Sequence, residues 1–185
     1  MGPGIRQDDG GVCRGGVGSL TMTPLRAGIL AAVVTLVADQ ASKLWLLNVF
    51  DLARRGVVKV TPFFDLVLAW NIGISFGWLQ NDGQSAQIAL MAVKVVAVVA
   101  LAIWMARSHT LLATVALGLI IGGAIGNGID RFAYGAVVDF ALFHLQIGGR
   151  TWNWYVFNLA DVAIVAGVAA LLYDSFLGVP AAKAP

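Results

Sequence analysis

The chain has 185 residues, of which 59% are hydrophobic and only 12% are charged. A soluble domain has about 25% charged residues, so this chain has too little polar surface to cover a water-facing globule. Its net charge is +2 and it has no long basic run, so the sequence does not indicate a nucleic-acid-binding surface. Its single cysteine excludes an internal disulfide and a multi-cysteine metal site. The composition predicts a membrane protein.

The first 22 residues are rich in glycine and polar side chains. Such a segment buries too little apolar surface to offset the cost of ordering, so we predict a disordered N-terminal tail over residues 1–22. Met22 is a candidate for the natural first residue, and Cys13 is expected to be inert. A membrane domain is predicted over residues 23–178, with a C-terminal tail over residues 179–185.

The sequence contains long apolar stretches that predict four transmembrane helices, near residues 25–47, 86–106, 110–132 and 157–178. Each has the roughly 20 mostly apolar residues that cross a hydrocarbon core of about 30 Å. The link around Arg107 is short and predicts an antiparallel helical hairpin. In the third helix, Gly118, Gly122 and Gly126 have the spacing that lets helices approach closely.

The two longer links, residues 48–85 and 133–156, are predicted to form a cap on one membrane face. Their sequences VVKVTPFF, DLVLAW and AVVDFALFHLQ are rich in β-branched and aromatic residues, which predicts short strands. The predicted fold class is therefore membrane α-helical, with four transmembrane helices, a small β-strand platform and a loop cap. We expect aromatic side chains of the cap at headgroup depth, namely Trp70, Trp78, Trp152, Trp154 and Tyr155.

Polar side chains collect just under this cap. The first and third helices run toward the cap and the fourth runs away from it, so polar groups near those ends reach the same depth. They are Asp39 and Lys43 in the first helix, Asn127, Asp130 and Arg131 in the third, Asn158 and Asp161 in the fourth, and Asn71 and Asp139 in the cap. Such groups are costly in lipid, so their convergence requires a reason.

Some of these residues also have a purely structural interpretation. Asp39 and Lys43, one turn apart, can form an intrahelical ion pair, and Asn127 and Asn158 can join helices by hydrogen bonds. Neither interpretation explains several aspartates without matching cations. Two carboxylates held close together share a proton, and such a pair can activate water and protonate a leaving amine. This chemistry is typical of an aspartyl peptidase and needs no metal or other cofactor.

The chain resembles the lipoprotein signal peptidase family of bacteria, signal peptidase II. The resemblance rests on five motifs, in family order, within residues 26–178: DQASK from Asp39, NIGISF from Asn71, GNGIDR from Gly126, GAVVDF from Gly135 and FNLAD from Phe157. It implies an aspartic endopeptidase that removes the signal peptide from a diacylglyceryl-modified prolipoprotein, cleaving before the lipidated cysteine.

The resemblance also implies roles for individual residues. It places the catalytic pair at Asp139 and Asp161, and substrate-binding residues at Asn71, Asn127, Arg131, Asn158 and Asp39. Asp130, Lys43 and Gly126 are expected to support the site. Asp130 is the alternative to Asp139, but it adjoins the charge of Arg131, which favours a structural anchor, whereas Asp139 has apolar neighbours that favour sharing a proton.

The resemblance implies a multi-pass protein of the bacterial inner membrane, with its active site near the periplasmic leaflet. The expected partners are the lipidated prolipoprotein and membrane lipids, with no nucleic acid or metal, and a monomer is expected. The stretch between Asp139 and Asp161 is longer than is typical, with Gly148 and Gly149, and we expect a mobile loop there. The alternatives are a small ion or proton transporter, a structural assembly protein and a presenilin-like protease.

Overall fold

The computed structural model describes residues 22–73 and 83–177. Several predictions fall on other residues and lie outside this part of the chain. They concern the N-terminal tail up to residue 21, with Cys13, the end of the NIGISF motif, Trp78, and the C-terminal tail.

Four long helices form the body of the protein, as predicted: α1 (Pro24–Leu44), α3 (Gly83–Arg107), α4 (Leu111–Tyr134) and α5 (Leu159–Leu177). A π-helical turn, Trp45–Val49, extends α1, and the short helix α2 (Leu52–Arg55) follows it. Among the described residues, three segments are long and apolar enough to cross a membrane, namely Pro24–Val49, Leu111–Tyr134 and Leu159–Phe176. The 25 residues of α3 span roughly 38 Å, a comparable length.

Local sequence signals fix the helix ends. Thr23 precedes Pro24 at the start of α1, and its side chain accepts a hydrogen bond from the Arg26 amide. Thr110 caps α4 in the same way, accepting from the Ala113 amide at 3.1 Å. Gly135 ends α4 with φ of 74°, a left-handed conformation that glycine adopts without strain.

Helix α4 is the central element, because it packs against α1 on one side and α5 on another. Its glycines allow this close approach. A Cβ on Gly122 would collide with the Ala32 carbonyl of α1, and a Cβ on Gly123 would lie 2.6 Å from the Ala160 carbonyl of α5. The predicted role of the small residues in helix packing is confirmed.

The cap contains an antiparallel sheet of four strands in the order β1-β2-β3-β4. The strands are β1 (Val58–Thr61), β2 (Phe64–Asn71), β3 (Val137–Ile147) and β4 (Arg150–Asn153). The first three were predicted, and β4 was not. Gly148 and Gly149 have φ values of 61° and 76°, so they form the two-residue turn that joins β3 to β4. This stretch is therefore a hairpin with a tight turn and not an irregular loop, and its mobility stays a prediction.

An apolar cluster fixes the sheet to the end of α1. Leu46, Leu52, Phe140 and Ala141 are its buried members. Val58, Phe64 and Leu66 from the first two strands pack against them. The sheet therefore lies on the same end of the bundle as the polar groups of α1, α4 and α5. The aromatic side chains of Trp70, Trp152, Trp154 and Tyr155 are exposed, and their headgroup depth stays a prediction.

Candidate active site

A buried lysine lies at the centre of the polar cluster. The Lys43 side chain is 2% exposed, and its Nζ lies 2.7 Å from a carboxylate oxygen of Asp39 and 2.7 Å from one of Asp130. It also donates to Asn127 Oδ1 at 3.0 Å. A buried ammonium with two carboxylates is compensated in charge and in hydrogen bonds, which makes its burial tolerable.

The buried Asp39 side chain connects its own helix, α1, to α4 and α5. Besides its bond to Lys43, it accepts a hydrogen bond from the Ala160 amide in the first turn of α5, at 3.0 Å. Its carboxylate fits against Gly126, where a Cβ would lie 2.6 Å from Asp39 Oδ2. Asp39 has no exposed surface. These contacts are those of a residue that supports the site from beneath, and substrate binding by Asp39 stays a prediction.

Asp130 is also a structural anchor, but its cation differs from the one expected. Lys43 pairs with it, whereas Arg131 donates to the Asn127 carbonyl at 3.3 Å. Asp130 Oδ2 accepts from the Val138 amide at 3.1 Å, which ties the end of α4 to the start of β3. Gln40 completes this anchor by donating to Asp130 Oδ1 at 2.9 Å. We gave Gln40 no role, although it lies between Asp39 and Lys43 in the DQASK motif.

Two asparagine side chains connect this anchor to the remaining aspartates. Asn127 accepts hydrogen bonds from Lys43 and from Asn158, so its amide nitrogen is free to donate to Asp161 Oδ1, at 2.8 Å. Asn158 donates to Asp139 Oδ1 at 2.6 Å. Both asparagines are buried, with 8% and 1% exposed. Their hydrogen bonds agree with the interpretation in which the two asparagines join helices, and substrate binding by them stays a prediction.

Asp139 lies in β3 and is held by amides from two sides. Asn158 donates to one oxygen, and Asn71 at the end of β2 donates to the other at 3.0 Å. The Asn71 side chain is itself oriented, because its Oδ1 accepts from the Gly73 amide at 2.9 Å. Asn71 remains exposed, so it keeps surface for a further contact.

Asp161 lies in the first turn of α5. Asn158 precedes the helix and accepts from the Asp161 amide at 3.0 Å, while Asp161 accepts from the Asn158 amide at 3.3 Å. This reciprocal arrangement is a capping box, which fixes the direction of the carboxylate. Asp161 is partly exposed, whereas Asp139 is almost fully buried.

The electrostatic setting of Asp139 favours its protonated form. Burial raises the pKa of Asp139, and the nearby charge of Asp161 raises it further, while hydrogen bonds from Asn71 and Asn158 and the charge of Lys43 oppose the shift. In the part of the chain that the structure describes, no cation lies within salt-bridge distance of Asp139 or Asp161. Asp139 and Asp161 thus interact electrostatically, and amide groups hold both of them.

An apolar cavity of about 1020 Å³ opens beside Asp161. One wall is the face of α5 that contains Val162, Val165 and Ala169, and the other is the β3–β4 hairpin with Trp152 and Trp154. Within residues 22–73 and 83–177, no group of three or more histidine, cysteine or acidic side chains is arranged to hold a metal ion. The cavity thus places an apolar surface next to the Asp161 carboxylate.

Comparison with known proteins identifies the family. The model of the family described as signal peptidase (SPase) II matches residues 31–177. This chain belongs to the signal peptidase II family. A protein of Nitrobacter hamburgensis named "Lipoprotein signal peptidase" is 74% identical over 164 residues, which cover 89% of this chain and all (100%) of that protein. A protein of the same name from Rhodopseudomonas palustris is 71% identical over 164 residues, which cover 89% of this chain and 100% of that protein.

The fold agrees with this membership. A solved structure described as a bacterial membrane enzyme superposes with a TM-score of 0.68 at 26% identity, covering 82% of this chain and 93% of that one. A second, also described as a bacterial membrane enzyme, has a TM-score of 0.62 at 28% identity, covering 85% and 93%. Membership of the signal peptidase II family confirms the resemblance found in the five motifs, and it argues against the transporter, assembly and presenilin-like alternatives.

The buried ion pairs of Lys43 with Asp39 and Asp130 form a centre that we expect to stabilise the protein. Replacing Lys43 with Met leaves the buried carboxylates of Asp39 and Asp130 without a cation, which should destabilise the protein by about 3–5 kcal/mol. Thermal unfolding of the purified protein in detergent measures the effect. Arg54→Met is the control, because the Arg54–Asp51 pair is on the surface, with 89% of the Arg54 side chain exposed. Equal unfolding temperatures for the two variants would contradict the proposed centre.

Proposed function

We propose that this chain removes signal peptides from diacylglyceryl-modified prolipoproteins, cleaving before the lipidated cysteine, with Asp139 and Asp161 as its catalytic pair. Family membership and the names of the relatives support the reaction. One observation supports the choice of residues. Lys43 pairs with Asp39 and Asp130, whereas Asp139 and Asp161 are held by amide groups and have no cation within salt-bridge distance among the described residues.

The environments of the two aspartates suggest separate roles. Because the pKa of Asp139 is raised, this residue keeps the shared proton, and Asp161 acts as the base. Asp161 removes a proton from water, and the water oxygen attacks the carbonyl carbon of the scissile bond while Asp139 donates a hydrogen bond to the carbonyl oxygen. When the carbon–nitrogen bond breaks, the proton taken up by Asp161 passes to the leaving amine. The pair then returns to its starting state.

The asparagines contribute by orientation. Asn71 and Asn158 hold the two oxygens of Asp139, and Asn127 holds one oxygen of Asp161. Fixed carboxylates need little reorganisation during the reaction, which lowers its barrier. Asn71 and Arg131 are the expected substrate-binding residues that keep exposed surface, and we assign them to contacts with the peptide.

The apolar cavity supports a lipid-linked peptide as the substrate. Its α5 wall, with Val162, Val165 and Ala169, starts next to Asp161 and continues along the helix. An apolar part of the substrate can lie there and enter sideways from the bilayer, which places the scissile bond beside Asp161. We further propose a location in the bacterial inner membrane, with the active site near the periplasmic leaflet, contacts to membrane lipids and a monomeric state.

Conservative substitution tests the catalytic pair. Asp139→Asn and Asp161→Asn should each lower cleavage of a diacylglyceryl prolipoprotein by at least about 10³-fold, because each removes a group that transfers or shares a proton. The measurement is the rate of cleavage by the purified protein, with unlipidated precursor as the substrate control. Asp51→Asn is the matched variant and should retain its rate, since Asp51 has a left-handed φ of 52° that asparagine tolerates.

The Asp130 alternative gives a different result. An Asp139→Asn variant that still cleaves, together with an inactive but folded Asp130→Asn variant, would move the pair to Asp130 and Asp161. Asp130→Asn is instead expected to lower the unfolding temperature, because Lys43 then keeps one carboxylate partner out of two.

The pKa of Asp139 predicts a change in pH dependence. The hydrogen bond from Asn71 favours the ionised form of Asp139, so Asn71→Ala should raise the pKa of Asp139 further. Activity at alkaline pH falls when the pair loses its shared proton, so this fall should move to higher pH in the variant. The pH profile of kcat measures the shift, with the exposed Asn48→Ala as the control. A shift to lower pH would contradict the role of Asp139 as the acid.

A further inference from the structure

A β-bulge in β2 lies between the active site and the rest of the sheet. Leu66 pairs with Ala141 on one side of the bulge, and Ala69 pairs with Asp139 on the other. One residue of β3 therefore faces two residues of β2. A bulge changes the face to which the following side chains point, and bulges are common next to active sites.

The bulge is what brings Asn71 to Asp139. Asp65 and Asn71 have an even spacing in β2, so they would point to the same face of a regular strand. Instead, Asp65 contacts His144, and Asn71 contacts Asp139. His144 and Asp139 have an odd spacing in β3 and point to opposite faces. Both cross-strand contacts are therefore possible only in the bulged register.

The first contact, the Asp65–His144 pair, is largely buried. His144 Nε2 lies 3.2 Å from Asp65 Oδ2, and the side chains are 13% and 9% exposed. Asp65 Oδ1 and both ring nitrogens of His144 have no hydrogen-bond partner among the described residues. A buried carboxylate is costly without a polar partner, so the contact with His144 favours this arrangement of the two strands.

Few other charged groups are opposite this pair in the register of the described strands. Lys59 of β1 is opposite Asp65 in the register, but it is exposed and is not within salt-bridge distance among the described contacts. Asn153 of β4, which is uncharged, is opposite His144. Asp161 of α5 and Tyr155 are the other titratable groups that line the cavity reached by His144. Among the described residues, His144 is the one basic side chain within salt-bridge distance of Asp65.

We propose that the Asp65–His144 pair is a positioning element, which holds β2 in the bulged register that brings Asn71 to Asp139. The inference rests on the proposed catalytic role of Asp139. Loss of either side chain removes this contact between the strands, so the bulged register loses part of its advantage over a slipped one. Asn71 is then held less firmly against Asp139, and turnover falls.

Steady-state kinetics of the purified protein on a diacylglyceryl prolipoprotein test this inference. The variants are His144→Gln, Asp65→Asn and the double variant. His144→Gln should lower kcat by about tenfold, because Asn71 is misplaced against Asp139. The double variant should recover most of this loss, because no buried carboxylate is left without its partner.

The chain provides a matched control in its other histidine. His109→Gln changes an exposed residue between α3 and α4 and should keep the wild-type kcat. If His144→Gln fails to fold, Asp65→Asn, which keeps the side-chain shape, gives the same test through its kcat. The unfolding temperature of each variant identifies a loss of fold.

Two results would overturn the inference. One is a folded His144→Gln or Asp65→Asn variant with the wild-type kcat. The other is a double variant as slow as His144→Gln, which would reduce the pair to packing. The proposed function fails separately, through an active Asp139→Asn variant. An inactive Asp139→Asn variant beside unaffected His144 and Asp65 variants would remove only the positioning role.

Discussion

The buried ammonium of Lys43 is the interaction on which the site depends. It pairs with one carboxylate from its own helix, Asp39, and one from α4, Asp130, and it orients Asn127. Asp39 in turn accepts from the first turn of α5, and Asp130 accepts from the start of β3. One cation thus joins three helices and the sheet. Asp39 and Asp130 use this charge, and within residues 22–73 and 83–177 no other cation pairs with Asp139 or Asp161.

The manner in which those two aspartates are held suits proton transfer. An arginine or lysine next to Asp139 would favour the ionised form and remove the shared proton. Amides from Asn71, Asn127 and Asn158 instead fix the direction of the carboxylates with little change in charge. The helix packing makes this possible, since Gly126 leaves room for Asp39 and thereby brings α1 to the level of the aspartates. Some of the polar residues therefore stabilise the fold, while Asp139 and Asp161 stay available for the proposed reaction.

Much of the architecture could be predicted from the sequence, because apolar length and β-branched composition are local signals. The four long helices, three of the strands and the depth at which polar groups converge all followed from such signals. The hairpin with β4 required recognition that Gly148 and Gly149 form a tight turn. For Asp39, Asn127 and Asn158 a structural and a substrate-binding interpretation were both open, because exposure depends on tertiary packing. The Asp65–His144 pair was missed because the bulge in β2 changes the face of the strand.

The central claim is that Asp139 and Asp161 share a proton while Lys43 pairs with Asp39 and Asp130. Infrared difference spectroscopy of the protein in lipid bilayers tests it directly, because a protonated carboxyl has a carbonyl band that a carboxylate lacks. We predict such a band near neutral pH in wild type, its loss in Asp139→Asn and its persistence in Asp130→Asn. A band that persists in Asp139→Asn and disappears in Asp130→Asn would contradict the account.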